Sequence, residues 1–164
     1  MPLEIERKFQ VKDTSFILKS YKKSYIKQGF LSTDKERTVR IRITEEEGFI
    51  TIKGPSNKNG TTRYEWEKKI PVDQAQELLK LSKAKPIEKL RYYIKQDKYI
   101  FEVDEFLGEN LGLRIAEIEL KNENELIEKP SWLGSEVTGI VRYYNSSLAE
   151  YPFKSWKKEE KNPL

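Results

Sequence analysis

The chain of 164 residues contains no cysteine and no histidine. Without cysteine there is no disulfide framework, no thiolate nucleophile and no structural zinc site of the usual kind. Without histidine there is no Ser-His or Cys-His couple, no HExxH helix and no imidazole general base. Chemistry on this chain must run on carboxylates, amines, guanidinium groups, phenols and oxygen-ligated metal ions. No apolar run approaches the ~18 residues of a membrane span, and the opening MPLEIERKF has no apolar signal core. The expectation is an intracellular, cytoplasmic protein without a membrane partner.

What the chain has in excess is charge. Lys and Arg number 31 against 27 Asp and Glu, a net charge of +4, and charged residues reach 35% of the sequence where ~25% is typical. With only 37% hydrophobic residues, such a composition can signal disorder. Against that, aromatics make up 12%, and the charges alternate with β-branched and aromatic residues instead of forming blocks. At roughly 100–200 residues per domain, residues 1–164 form a single domain able to bury its own core.

Period-two segments dominate. Leu3–Val11 sets Leu3, Ile5, Arg7, Phe9 and Val11 against Glu4, Glu6, Lys8 and Gln10. Further extended runs are read at Ser24–Leu31, Arg37–Thr44, Phe49–Lys53, Thr62–Ile70, Ile87–Lys95, Tyr99–Phe106 and Arg114–Lys121. Turns at Glu45-Glu46-Glu47-Gly48, Asn57–Gly60 and Gln96-Asp97-Lys98 make hairpins of several of these. Short helices are expected at Thr14–Tyr21 capped by Asp13, after Asp73 with Ala75, Leu78 and Leu79 on one face, and at Glu123–Glu128 before Pro130. A last helix capped by Thr138 runs through Leu148 and Ala149, and the basic tail from Lys154 reads as a loosely ordered, solvated end. The fold class is mainly β with flanking helices (α+β). About eight strands with hairpin connections suggest an antiparallel sheet or closed barrel, closure being one way to hide edges.

On any one strand, alternation is satisfied by charges facing solvent. Across strands the pattern is less ordinary. Acidic residues recur as i, i+2 pairs at Glu4/Glu6, Glu65/Glu67, Glu102/Asp104 and Glu117/Glu119, and basic ones at Arg40/Arg42 and Lys89/Arg91. Lys8, Lys53 and Arg63 share those faces. Carboxylates at i, i+2 on a strand lie roughly 6–7 Å apart and repel, so four such pairs make sense with cations between them. Carboxylates alone select hard cations, Mg²⁺ or Mn²⁺, with calcium possible. Arginine pairs match phosphate oxygens with forked donors. Gly54-Pro55-Ser56 lacks the spacing of a P-loop, which excludes a Walker-type ATPase. Trp66 and Tyr64 read as outer packing residues, while Tyr92, Tyr93, Tyr143 and Tyr144 read as core, with one of them free to reach a cavity mouth.

Glu4-Ile5-Glu6-Arg7-Lys8 resembles the ExExK signature of the CYTH superfamily, the triphosphate tunnel metalloenzymes. The resemblance runs from about Leu3 to Ala149. It takes in Gln28-Gly29-Phe30-Leu31, Arg40-x-Arg42, Thr51-x-Lys53, Arg63-x-Glu65-x-Glu67, Lys89-x-Arg91-Tyr92, Glu102-x-Asp104, Glu117-x-Glu119, Trp132-x-Gly134, Glu136-Val137-Thr138 and Arg142-Tyr143-x-Asn145. It implies an eight-stranded antiparallel closed barrel with a charged interior, in which a triphosphate is bound with Mg²⁺ or Mn²⁺. Carried over, the metal ligands are Glu4, Glu6, Glu117 and Glu119, with Glu65, Glu67 and Asp104 as further candidates. The phosphate-binding residues are Lys8, Arg40, Arg42, Lys53 and Arg91, with Lys89 as a sixth. The sequence departs from the family at Ile140 and Val141, where an acidic and a basic residue are usual.

The implied activity is metal-dependent triphosphate hydrolysis, inorganic tripolyphosphate being the substrate that fits a short chain with no visible insertion for gripping a base. Phosphoryl transfer needs position and charge stabilisation more than covalent chemistry. Lys8, crowded by other cations, is the first choice for a proton acceptor, in competition with direct metal activation of water. Rival readings within the family are a thiamine- or nucleoside triphosphatase and a class IV adenylyl cyclase. Outside it stand a non-catalytic polyphosphate-binding module and an RNA-binding sheet, which the four acidic pairs oppose. The expected partner is a small-molecule triphosphate and not nucleic acid, bound by a monomer or homodimer.

Overall fold

The computed structural model describes residues 2–161. Strands β1 (Leu3–Val11), β2 (Lys22–Ser32), β3 (Thr38–Thr44), β4 (Glu47–Ser56), β5 (Thr62–Ile70), β6 (Ile87–Gln96), β7 (Tyr99–Phe106) and β8 (Arg114–Glu119) pair antiparallel in the ring β1-β5-β4-β3-β2-β6-β7-β8. β1 closes the ring. It pairs with β8 over Glu6–Gln10 on one edge and with β5 over Leu3–Ile5 on the other. A ninth strand, β9 (Leu133–Glu136), covers the rest of that second edge beside Phe9 and Val11. The sequence reading missed β9, because Gly134 and Ser135 interrupt a four-residue segment too short to show a period.

The outer face is built by ordinary alternation. Phe9, Tyr92, Ile94, Phe101, Val103, Ala116 and Ile118 pack with Phe16 and Trp132 into one cluster. Helix α1 (Phe16–Lys19) brings Phe16 to it. Its expected span was longer, but Asp13 accepts from the Ser15 N–H in a turn and is not the cap residue. Helix α2 (Val72–Leu79) lays Ala75 and Leu79 on Ile41. It starts from Pro71, with Asp73 inside its first turn and not at its cap. Gly48 is needed beneath it, since a Cβ there would lie 2.7 Å from that of Ala75.

Two expected helices differ. Glu123–Glu128 is irregular: Glu125 accepts from the Lys121 and Asn122 N–H groups, Asn122 accepts from that of Asn124, and Leu126 is left exposed. Local side-chain-to-backbone bonds win over so short a helix that could bury little beyond Ile127. Thr138 caps nothing. Its hydroxyl accepts from the Lys8 N–H, and Gly139, at φ +77°, turns the chain away. The last helix, α3, is only Asn145–Glu150.

As far as Lys161 the tail is ordered where loose structure was expected; the remainder of that expectation, residues 162–164, lies outside the described residues. Trp156 is buried edge-on against Tyr143 at 5.1 Å, and Arg142 Nε donates to the Glu160 carbonyl at 2.8 Å. Trp156, Tyr143 and Leu148 form a second cluster with Phe30, Ile87, Phe106 and Ile115. By strand alternation those four lie on the same face of their strands as Gln28, Lys89, Asp104 and Glu117. One face of the barrel wall is thus charged over most of its length and apolar at one end, where residues 141–156 pack.

Candidate active site

Residues directly opposite in an antiparallel pair point to the same face, and here the register carries one face around the ring. Glu4 lies opposite Arg63, Lys53 opposite Glu65 and Thr38, and Arg40 opposite Thr51. Arg42 faces Gln28, Ser24 faces Arg91, Arg91 faces Asp104, Glu102 faces Glu117, and Glu117 faces Lys8. Most of these side chains, though not Gln28, Thr51 or Asp104, line two cavities that share Glu6, Arg40, Arg42, Lys53, Arg91 and Glu117. Only the inside of a barrel can collect side chains from so many strands of one ring.

The two cavities differ in sign. The first is bounded by Tyr144, Asn145 and Ser146 at the end where α3 begins. It is lined by seven cationic side chains, Lys8, Arg40, Arg42, Lys53, Arg63, Lys89 and Arg91, and by two carboxylates, Glu6 and Glu117. The second, about 370 Å³, is lined by eight carboxylates, Glu4, Glu6, Glu47, Glu65, Glu67, Glu102, Glu117 and Glu119, and by five cations. Sequence reasoning found the faces but not this segregation along them.

Asp104 is fully buried and saturated: Lys89 Nζ lies 2.7 Å from Oδ2, and Arg91 donates to both oxygens at 2.7 and 2.9 Å. Arg91 also meets Glu102 at 2.5 Å. Burial pushes Lys89 down to about 7; Asp104 opposes that, and the neighbouring Arg91 and Arg42 add to it. Arg42 is likewise lowered to about 9, by burial and then by Arg40 and Arg91. Lys53 Nζ sits between Glu4 at 2.8 Å and Glu65 at 3.1 Å. Lys8 Nζ lies 3.5 Å from Glu117, 3.4 Å from the Tyr143 carbonyl and 5.1 Å from the centre of the Tyr144 ring. Arg40 bonds Thr51 at 3.1 Å and Glu67 at 3.5 Å, while its buried Nε has no partner among the described residues.

The carboxylates carry the opposite imbalance. Burial raises Glu6 well above the usual range, and Glu117 and Glu4 push it further. Glu119 is raised by burial and by Glu4 and Glu102. Glu117, though buried, is held far below the usual range by Lys8, Arg91 and Lys89. Among the described residues no three carboxylates already converge on one point. The donor set is nevertheless all oxygen, and Glu6 and Glu119 both carry like-charge repulsion that a cation would relieve, so a hard divalent ion fits them. Asp104 fits least, because its oxygens are already engaged by Lys89 and Arg91.

Several contributors escaped the sequence reading as site residues. Gln28 and Thr51 are fully buried in the wall and hydrogen-bond Arg42 and Arg40, and each occupies a position with the same alternation as the charged residues. Arg63 lines the basic cavity and donates to the Gly54 carbonyl at 3.0 and 2.7 Å. Tyr93 lines the acidic cavity. Tyr144, Asn145 and Ser146 come from a segment with no strand period, and nothing short of the tertiary structure shows that they meet the barrel. Trp66 is 39% exposed, in keeping with outer packing.

Comparison with known proteins follows the same outline. A family model described as CYTH domain matches residues 2–150. An inorganic triphosphatase of Acetivibrio thermocellus is 47% identical over 159 residues, covering 96% of this chain and 99% of that protein. An inorganic triphosphatase of Nitrosomonas europaea is 35% identical over 150 residues, covering 89% and 96%. A crystal structure described as the inorganic triphosphatase NE1496 superposes with a TM-score of 0.63 at 32% identity, over 89% of this chain and 97% of that one.

Proposed function

The chain belongs to the CYTH domain family, and on that premise we propose that it hydrolyses triphosphates, with inorganic tripolyphosphate as substrate. Two relatives named inorganic triphosphatase match nearly end to end, which supports the substrate as well as the reaction. The observation that carries the reading is the basic cavity: seven cations lining one space, with a buried guanidinium donor on Arg40 that has no partner among the described residues. A buried donor without an acceptor costs about 1–3 kcal/mol, and an anionic oxygen removes that cost.

In this reading Lys8, Arg40, Arg42, Lys53, Lys89 and Arg91 hold successive phosphates in line and balance the charge that develops on their oxygens. Asp104, with Glu102, holds Arg91 and Lys89 in place. The terminal phosphate goes to the basic end beside Tyr144–Ser146, and the rest of the chain extends toward the acidic cavity. Glu4, Glu6, Glu117 and Glu119 would hold Mg²⁺ or Mn²⁺, with Glu65 and Glu67 at the rim; when bound, the ion supplies Lewis-acid stabilisation of phosphate charge. Lys8, which lines the basic cavity 3.5 Å from Glu117, is the proposed acceptor of the proton released by the attacking water, a role open to it only as the neutral amine; as the ammonium it binds phosphate instead. No helix among the described residues is long and apolar enough to cross a membrane.

The test is phosphate release from tripolyphosphate, pyrophosphate, ATP and thiamine triphosphate, each with Mg²⁺, Mn²⁺ and Ca²⁺. Tripolyphosphate should be turned over fastest with Mg²⁺ or Mn²⁺, and pyrophosphate poorly. Cyclic AMP appearing from ATP faster than phosphate from tripolyphosphate would replace this reading with a cyclase.

A further inference from the structure

Two amides connect the basic residues of the barrel wall to the C-terminal segment. Arg42 Nε donates to Gln28 Oε1 at 3.2 Å, Gln28 Nε2 donates to Asn145 Oδ1 at 2.8 Å, and Lys89 Nζ donates to the same Oδ1 at 3.0 Å. The orientation of both amides follows from chemistry. Arginine and lysine are donors only, so the atom facing each must be an oxygen. With its oxygen committed to Arg42, Gln28 has only its NH₂ left to offer Asn145, and one amide oxygen has lone pairs for two donors.

From this geometry we propose that Asn145 is a positioning residue: its amide oxygen fixes Lys89 on β6 directly, and Arg42 on β3 through Gln28, in the arrangement that receives phosphate. The proposal rests on the triphosphatase reading above and adds a residue to it. A neutral acceptor suits the place. Asp104 already holds Lys89 at the cost of a full negative charge facing it, whereas an amide orients the ammonium without subtracting from the cationic field toward the ligand. Asn145 is itself held by its surroundings. The preceding Tyr143 is buried, accepts from Gln10 Nε2 at 2.9 Å through its hydroxyl, and packs against Trp156.

The experiment uses the full chain as wild type, Asn145→Leu, Asn145→Asp and Gln28→Leu, with thermal melts to show that each is folded. Asn145→Ser replaces the leucine variant should that fail to fold. One measurement needs no substrate: the Arg42 Nε–H signal in ¹⁵N-labelled protein, identified by its loss in Arg42→Lys. It should be slowly exchanging in wild type and Asn145→Asp, and lost to exchange in both leucine variants. The other is steady-state kinetics on tripolyphosphate with Mg²⁺. Both leucine variants should lose about 10-fold or more in kcat, while Asn145→Asp, which keeps the acceptor oxygen but adds a negative charge, should keep kcat within about 3-fold and raise KM. Retention of either the Arg42 signal or the wild-type kcat in the folded leucine variants overturns the proposal. Inactive wild-type protein whose Arg42 signal still depends on Asn145 would instead overturn the triphosphatase reading and leave the positioning role standing.

Discussion

Lys8 and Arg42 reach the same cavity from opposite sides of the ring, and neither is part of an apolar cluster. Replacing either by alanine should therefore leave the fold intact and cost about 2.7–4 kcal/mol of transition-state stabilisation, read as a 10²–10³-fold fall in kcat/KM. A fall of about 10-fold or less at both would mean that these charges play no part in turnover. Lys89 adds a pH dependence. Its folded value of about 7 lies below the ordinary 10.5, so the ammonium form that the proposed role requires is present below pH 7 and is lost as pH rises through it. Tripolyphosphate affinity, measured by calorimetry with Ca²⁺, should weaken above pH 7 more in wild type than in Lys89→Arg, where the charge persists. The same shift means that the folded chain binds fewer protons than the unfolded one between pH 7 and 10.5, so this group's share of stability rises with pH across that window. The common face of these charged residues was legible, because i, i+2 spacing on a strand fixes it. Gln28, Thr51 and Asn145 stood in the motifs of the family resemblance, but what they contact was not legible: a neutral amide or hydroxyl looks the same in the sequence whether it meets solvent or a guanidinium group.

At the scale of elements, the strands were readable because alternation is local. Leu3–Val11, Thr62–Ile70 and Tyr99–Phe106 fall where the sequence pattern puts them, the other five strands of the ring differ from it by a few residues at their ends, and β9 has no counterpart in it. The helices were harder. α2 has a face to bury on Ile41 and was found, whereas Glu123–Glu128 buries little beyond Ile127 and does not form. The C-terminal segment is the clearest case, since its order comes from one aromatic seated on another and not from any local period. Trp156→Ala should accordingly destabilise the protein by about 3–5 kcal/mol in urea unfolding, far more than a solvated tail would allow. A change within about 0.5 kcal/mol would show that the segment does not dock.

For the molecule as a whole, the decisive feature is a barrel lined with charges of both signs. Two unit charges about 4 Å apart interact by about 4 kcal/mol at an effective dielectric of 20, so like charges crowded on one wall strain the fold until counter-charges arrive. A ligand bound only by the native state at 100 times its Kd adds about 2.7 kcal/mol. Tripolyphosphate with Ca²⁺ should thus raise Tm by several degrees, and sulfate or phosphate at equal ionic strength by much less, because neither spans successive basic pairs. The double variant Arg40→Ala, Arg42→Ala should lose most of that shift. A wild-type shift no larger with tripolyphosphate than with sulfate would remove the case for a preformed triphosphate site.

The sequence by itself determined the chemical repertoire, through the absence of histidine and cysteine, and the strands with their charged faces, through a two-residue period that needs no tertiary context. It also carried the family resemblance in its ordered motifs. Only the tertiary structure decided how those faces meet. Closure of β1 on β5 through three residue pairs brings Glu4 and Lys53 together, which lie 49 positions apart in the chain. Packing of residues 141–156 against Phe30, Ile87, Phe106 and Ile115 separates a basic end from an acidic one and delivers Asn145 to Lys89. Strand periodicity is written between near neighbours, whereas the sign of charge at each end of a cavity depends on contacts between residues far apart in the chain, and no local pattern encodes those.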